Sequence, residues 1–281
     1  MSEVEQEPQP EHEPWRRGVL VTGASRGLGA AIARTFAAMG DRVVVHHRGA
    51  SSRERAEEVL SGLEGDGHAR VAADLADPEA VRRLADDAVA VLGRVDVLVN
   101  NAALIATPGS GSVSRRGDHA LEETSYEDWV QVWQDTLATN LLGPAALTWC
   151  VARHMIDVPP AEGVAVGRIV NVGSRGAFRG EPDIPAYGAS KAGLHAFGQS
   201  MAQRLGRHGI AVASIAPGFI ATEMAGDALD GPGGDAVRAQ SPFGRVATPE
   251  EVAAAVCALA SPGAEWASGA VLDFNGASHL R

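Results

Sequence analysis

The sequence predicts a doubly wound, Rossmann-like α/β fold: a seven-stranded parallel sheet with helices on both faces. Three observations predict it. Short apolar, β-branched runs alternate with longer helical patterns from Gly18 to Phe274. A glycine-rich stretch, Thr22 to Gly29, lies between the first run and the first helical pattern. No internal repeat or linker interrupts the series, so one domain is expected. Strands joined through helices run parallel, with right-handed crossovers.

The elements follow in order. Residues 1–17, MSEVEQEPQPEHEPWRR, are rich in Glu and Pro and predict a disordered tail, with residues 18–281 forming the folded domain. Gly18 to Val21 is a short apolar run and predicts a buried strand. Ala30 to Met39 has helical spacing, and Arg42 to His47 is β-branched and predicts the second strand. Arg53–Leu63 predicts a helix, His68–Ala73 a strand, and Pro78–Leu92 a helix with Pro in its first turn. Val95–Val99 predicts a strand, and Ser125–Ile156 a long helix kinked at Gly143-Pro144. Arg168–Val172 and Ile210–Ala216 predict strands on either side of a helix over Ile184–Gly206. Pro249–Ala260 predicts the last helix and Ala270–Phe274 the last strand. Two long loops, 105–123 and 219–248, follow strand ends on the side where open α/β sheets bind ligands.

Composition narrows the function classes. A net charge of −11 argues against a general binder of nucleic acid or anionic membrane. No apolar run approaches the ~20 residues that span a bilayer, and the acidic N-terminus has no secretory pattern. Cys150 and Cys257 each sit in an apolar helical pattern and read as unpaired thiols, which suits the cytoplasm.

Tyr187 to Lys191 carries the first chemical signal. Lys191 is the single lysine among 24 basic residues, and Tyr187 is one of two tyrosines. Residues i and i+4 share a helix face, so phenol and ammonium can point into one space. A nearby cation favours phenolate and lowers a tyrosine pKa from its usual ~10. The same spacing also suits an ordinary helix with a solvated Lys, so the rest of the chain has to decide.

Thr22, Gly23, Ser25, Arg26, Gly27, Leu28 and Gly29 form the turn from the first strand into the first helix. Glycines there let the backbone approach a phosphate, and the helix N-terminus offers free N–H groups to it. The spacing is TGxxxGxG, and here the chain resembles the short-chain dehydrogenase/reductase family, most closely its 3-oxoacyl-acyl-carrier-protein reductases. Further matches follow in order over residues 18–276: Asp74-Leu75, Asn100-Asn101-Ala102-Ala103, Asn140, Ser174, Tyr187, Lys191, and Pro217-Gly218 with Thr222. Ser174 precedes Tyr187 by thirteen residues, the family's spacing.

The resemblance implies hydride transfer between a nicotinamide cofactor and a carbonyl or alcohol. It makes Tyr187 the proton donor or acceptor, Ser174 the partner that orients the substrate oxygen, and Lys191 the residue that holds the nicotinamide ribose and keeps the Tyr187 pKa low. It gives Asn140 a water in a proton relay. It assigns the adenine contact to Asp74 with Leu75, places Asn101 and Ala102 along the cofactor, and sets Pro217, Gly218 and Thr222 at the carboxamide end. No metal is expected. NAD-selecting folds place a carboxylate at the end of the second strand. This chain has His46, His47 and Arg48 there, and Arg26 in the glycine loop. Two guanidiniums suit a 2′-phosphate, so NADPH is expected, with NAD the alternative. The substrate stays open among a ketone or aldehyde, a 3-oxoacyl thioester, and, with NAD, a sugar or secondary alcohol. Arg175 and Arg179 are open to a substrate anion, although pairing with Glu181 and Asp183 is the preferred reading. A catalytically silent nucleotide sensor is the alternative of another class, and the presence of Ser174, Tyr187 and Lys191 argues against it. The resemblance also implies a homotetramer or dimer.

Overall fold

The computed structural model describes residues 16–109, 119–160 and 166–281. The predicted tail is therefore outside the described residues except for Arg16 and Arg17, as is 110–118 of the first long loop. Arg17 is tied to the fold. Its guanidinium pairs with the buried carboxylate of Asp41 at 2.6 Å and donates to the Ala260 carbonyl at 2.9 Å.

Seven strands form one parallel sheet in the order β3-β2-β1-β4-β5-β6-β7. They are β1 Gly18–Val21, β2 Arg42–His47, β3 Ala69–Ala72, β4 Val97–Asn100, β5 Gly167–Val172, β6 Ile210–Pro217 and β7 Val271–Phe274. β1, β4, β5 and β6 are buried on both faces, which is why they read as largely apolar runs without strict alternation. The helices are α1 Gly27–Ala38, α2 Arg53–Ser61, α3 Pro78–Leu92, α4 Tyr126–Leu137, α5 Gly143–Asp157, α6 Gly176–Arg179, α7 Pro185–Leu205, α8 Gly226–Asp230, α9 Gly234–Arg238 and α10 Pro249–Leu259. α1 and α10 pack on one face of the sheet over Phe36, Ile32, Val252 and Val256. α3 and α5 cover the other over Leu84, Leu92, Leu147 and Met155. Burial of each such side chain stabilises the domain by roughly 1.5–3 kcal/mol before entropy is charged against it.

Helix starts follow from local chemistry. Asp77 accepts from the Glu79 N–H at 2.9 Å ahead of Pro78 in α3. Thr248 and Glu251 form a reciprocal capping box on α10. The predicted kink at Gly143-Pro144 takes a different form. A π-turn, Ala138–Leu142, joins α4 to α5, and the Gly143 N–H bonds to the Ala138 carbonyl. Pro144 has no N–H to offer Asn140, four residues earlier, so a regular helix cannot continue through this point. Gly143 is also required for close approach, because a Cβ there would lie 2.5 Å from the Leu75 carbonyl oxygen.

The strand order reverses between β1 and β4, so the carboxyl ends of these strands flank a crevice. The glycine loop leaves β1 on one side of it. Asn101 and Ala102 leave β4 on the other.

Candidate active site

The glycine loop is held in place by side chains of its neighbours. The Thr22 hydroxyl donates to the Val99 carbonyl at 3.1 Å and accepts from the Asn101 and Ala102 N–H groups at 2.9 and 3.0 Å. The Asn101 amide donates to the Thr22 carbonyl at 2.8 Å. Both side chains thus join β1 to β4. Gly23 and Gly27 have φ of 64° and 52°, which an L side chain rarely adopts. At Gly29 a Cβ would stand 2.2 Å from the Gly23 carbonyl oxygen. No side chain caps α1, since Arg26 at its N-cap makes no such bond, and its first N–H groups are left for an anion. The Thr222 methyl faces this cradle, 3.4 Å from where a Gly27 Cβ would be. A bare helix N-terminus with these glycines fits the pyrophosphate of a dinucleotide.

His46 supports the glycine loop, a role that cannot be read from its place at a strand end. The β1–β2 register pairs Val21 with Val45, which sets His46 beside the glycine turn. Its Nδ1 accepts from the Gly23 N–H at 3.0 Å, and Nε2 therefore carries the proton donated to the Ala73 carbonyl at 2.9 Å. Burial is the main cause that pushes its pKa down to about 4, so it is neutral at pH 7. Burial likewise takes His195 to about 4. The unfolded chain binds these protons near pH 6.5 and the folded chain does not, so stability falls as pH drops below 6.5. Each histidine should cost about 1.5 kcal/mol between pH 6.5 and 5, above most of the carboxylate range. Thermal melts should show Tm falling over that window, and His195→Leu should make the fall shallower; a flat Tm would contradict the assignment. His47 is also buried. Its Nδ1 lies 3.1 Å from the Gly49 carbonyl oxygen, turned to its own loop.

Ser174, Tyr187 and Lys191 come together at the carboxyl end of β5. Lys191 is buried at 2% exposure, and its ammonium donates to the Val172 carbonyl at 2.8 Å. Its Nζ lies 5.8 Å from the centroid of the Tyr187 ring. Burial alone pushes the Lys191 pKa down to about 8. The sequence-based expectation of a lowered Tyr187 pKa is corrected. Desolvation pushes the phenol up to about 12, the neighbouring Ser174 hydroxyl opposes this, and Glu181 adds to it. Tyr187 is half-buried as a residue, so the push comes from burial at its phenol end. At pH 7 Tyr187 is protonated. Ser174 is oriented in turn, since its Oγ accepts the Gly176 N–H at 3.0 Å.

Asn140 is fully buried on the π-turn. Its Oδ1 accepts the Leu104 N–H at 2.9 Å, and its Nδ2 donates to the Leu104 carbonyl at 2.9 Å and to Ser190 Oγ at 3.2 Å. The side chain therefore braces the segment after β4. Above it the far end of the first long loop returns: His119 Nε2 accepts the Ala186 N–H at 3.4 Å, next to Tyr187, and its ring meets Trp129 edge-on at 5.7 Å.

Arg179 pairs with Glu181 at 3.4 Å, as preferred. Arg175 does not pair with a carboxylate. It is 3% exposed, donates to Gln240 Oε1 at 2.5 Å and to Ser278 Oγ, and stacks over Phe219 at 5.0 Å. Arg175 and Phe219 line a cavity of about 290 Å³ behind the serine loop, and Ser174, Tyr187 and Lys191 do not border it. Arg175 thus ties that loop to the segment 275–281. Asp74 and Arg48 pair with each other at 3.0 Å, at the ends of β3 and β2. The backbone beyond β6 turns back over β7, where the Gly218 N–H reaches the Phe274 carbonyl at 3.2 Å and Pro217 accepts the Arg175 N–H at 3.0 Å.

Residues 23–279 match the family described as enoyl-(acyl carrier protein) reductase. The chain is 37% identical to D-threitol dehydrogenase of Mycolicibacterium smegmatis over 257 residues, covering 92% of this chain and 90% of that protein. It is 35% identical to a 3-oxoacyl-(acyl-carrier-protein) reductase of Vibrio cholerae over 261 residues, covering 93% and 96%. A solved short-chain dehydrogenase from Burkholderia cenocepacia in complex with NADP superposes with a TM-score of 0.80 at 32% identity, covering 94% of this chain and 98% of the other. A blue fluorescent protein from a metagenomic library, in complex with NADPH, gives 0.80 at 31% identity with the same coverage. With a glycine cradle at the strand-order reversal, a Ser–Tyr–Lys cluster beside it, and these relatives along nearly its whole length, the chain belongs to the short-chain dehydrogenase/reductase family.

Proposed function

We propose that this protein is an oxidoreductase that transfers hydride between NADPH and a ketone or aldehyde, or from the alcohol in reverse. The observation that carries the reading is the meeting of Ser174, Tyr187 and Lys191 at the end of β5 beside an uncapped helix N-terminus built for phosphate. When bound, the cofactor supplies the hydride. Everything else falls to the chain's own groups. The Ser174 hydroxyl orients the carbonyl oxygen, and Tyr187, protonated at neutral pH, donates to it as negative charge develops there. The Lys191 ammonium holds the ribose hydroxyls of the cofactor and favours charge on the phenol oxygen. Asn140 acts through its main-chain carbonyl, which Pro144 leaves without its α-helical donor, and holds a water that returns a proton towards Lys191. Because the Tyr187 phenol is held above its ordinary pKa, alcohol oxidation, which needs the phenolate as base, should gain rate as pH rises.

NADPH is preferred because Arg48 stands at the end of β2, where NAD-selecting folds place a carboxylate, Arg26 adds a second guanidinium in the glycine loop, and two solved relatives hold NADP or NADPH. The substrate class we favour is a ketone, including 3-oxoacyl thioesters, as the name of the Vibrio cholerae relative suggests; a sugar alcohol follows the name of the M. smegmatis relative. The test is oxidation of NADPH across a panel of ketones, aldehydes and acyl thioesters, repeated with NADH. Turnover with kcat/KM higher for NADPH is expected, and Arg48→Asp should move the preference towards NADH. Equal or better kcat/KM with NADH would refute the cofactor assignment, and tight cofactor binding without turnover on any compound would favour a silent sensor.

We also place the protein in the cytoplasm as a homotetramer or dimer. Its two cysteines are unpaired, and among the described residues no helix is long and apolar enough to cross a membrane. Exposed apolar side chains on the outer face of α5, Trp149 with Leu142 just before it, and beside β7, Trp266 and Leu280, offer two faces for copies of the chain.

A further inference from the structure

The arginines around the adenosine side of the cradle are already engaged by carboxylates. Arg26 Nη1 lies 2.9 Å from Glu223 Oε2, and Arg55 Nη1 lies 3.5 Å from the same oxygen. One anionic oxygen therefore bridges two guanidiniums from separate elements, the N-cap of α1 and the first turn of α2. Arg55 is seven residues beyond Arg48, whose place at the end of β2 is where such folds read the 2′ position of the adenosine ribose. Glu223 comes from elsewhere. It follows Thr222 and opens the short turn Glu223–Ala225 that leads into α8.

We infer that Glu223 is an internal competitor for the 2′-phosphate of NADPH, and that Arg55 joins Arg26 in binding that phosphate once Glu223 is displaced. The inference rests on the NADPH reading above. The exchange is chemically reasonable. The side chains of Arg26, Arg55 and Glu223 are 40%, 44% and 56% exposed, and ion pairs this exposed are weak. A phosphate brings more charge than a carboxylate and three acceptor oxygens, and it fits guanidinium forks. Glu223 thereby sets cofactor discrimination. Its charge occupies the cations that a 2′-phosphate needs, while a ribose 2′-hydroxyl does not compete for them. Glu223 also links arrival of the cofactor to the segment that carries Thr222 and α8.

Binding alone tests this, without any substrate. NADPH and NADH are titrated by cofactor fluorescence into the full-length protein and into Glu223→Gln, Arg55→Gln and the double variant, all surface changes. Glu223→Gln should tighten NADPH about threefold and leave NADH unchanged. Arg55→Gln should weaken NADPH about fivefold and leave NADH unchanged, and the gain from Glu223→Gln should shrink when Arg55 is absent. An unchanged or weaker NADPH Kd in Glu223→Gln would overturn the competition, and an Arg55→Gln effect equal on both cofactors would overturn the role of Arg55. Equal Kd values for NADPH and NADH in the unsubstituted protein would instead defeat the NADPH reading beneath it.

Discussion

Replacing Tyr187 by Phe should lower kcat about a thousandfold and leave the Kd for NADPH within about twofold. The phenol oxygen is the group lost, and the ring, its packing and α7 remain. The effect is large because the phenol is the group that stands beside the Ser174 hydroxyl to meet the carbonyl oxygen, whereas the Lys191 ammonium is turned towards the Val172 carbonyl. The pKa of about 12 means that essentially every wild-type molecule carries the proton at pH 7, so the loss is not disguised by partial ionisation. Retention of more than about a tenth of kcat would mean that the proton comes from elsewhere.

Lys191→Arg keeps a positive charge, yet should reduce kcat/KM about a hundredfold, a loss of the size that misplacing a catalytic group produces. Lys191 is 2% exposed, with its ammonium 2.8 Å from Val172 O and close to the Tyr187 ring. That space fits a compact ammonium. A planar fork with five donors would displace either the carbonyl contact or the phenol. Thermal melts separate this from misfolding: a variant melting within a few degrees of wild type but retaining full kcat/KM would show that charge alone suffices.

The fold was legible because its elements obey local rules. Strands buried on both faces show as unbroken runs such as Val19–Val21 and Val97–Val99, and helix starts show as Asp77-Pro78 and as Thr248-Pro249 with Glu251. The candidate site residues were legible because Ser174, Tyr187 and Lys191 sit at fixed spacings in adjoining elements. What could not be read depends on contacts between distant segments. His46 supports Gly23 only because β2 lies beside β1 in one register. The partners of Arg175 are 65 and 103 residues away, so nearby Glu181 looked the better candidate. The Tyr187 pKa was misjudged because the charge of Lys191 can be read from sequence, whereas the burial of the phenol cannot. A run such as HHR at a strand end is a signal that should have prompted a structural role for its first histidine.

Hydride transfer between the cofactor and a carbonyl carbon beside Tyr187 can be followed by isotope. A single turnover with NADPH carrying deuterium at the transferable C4 position, and the best ketone of the panel, tests it most directly. One deuterium on the new carbinol carbon is expected for each NADPH consumed, with the same product forming about a thousandfold more slowly in Tyr187→Phe. Consumption of NADPH without deuterium on that carbon, or equal labelled product from Tyr187→Phe, would contradict it.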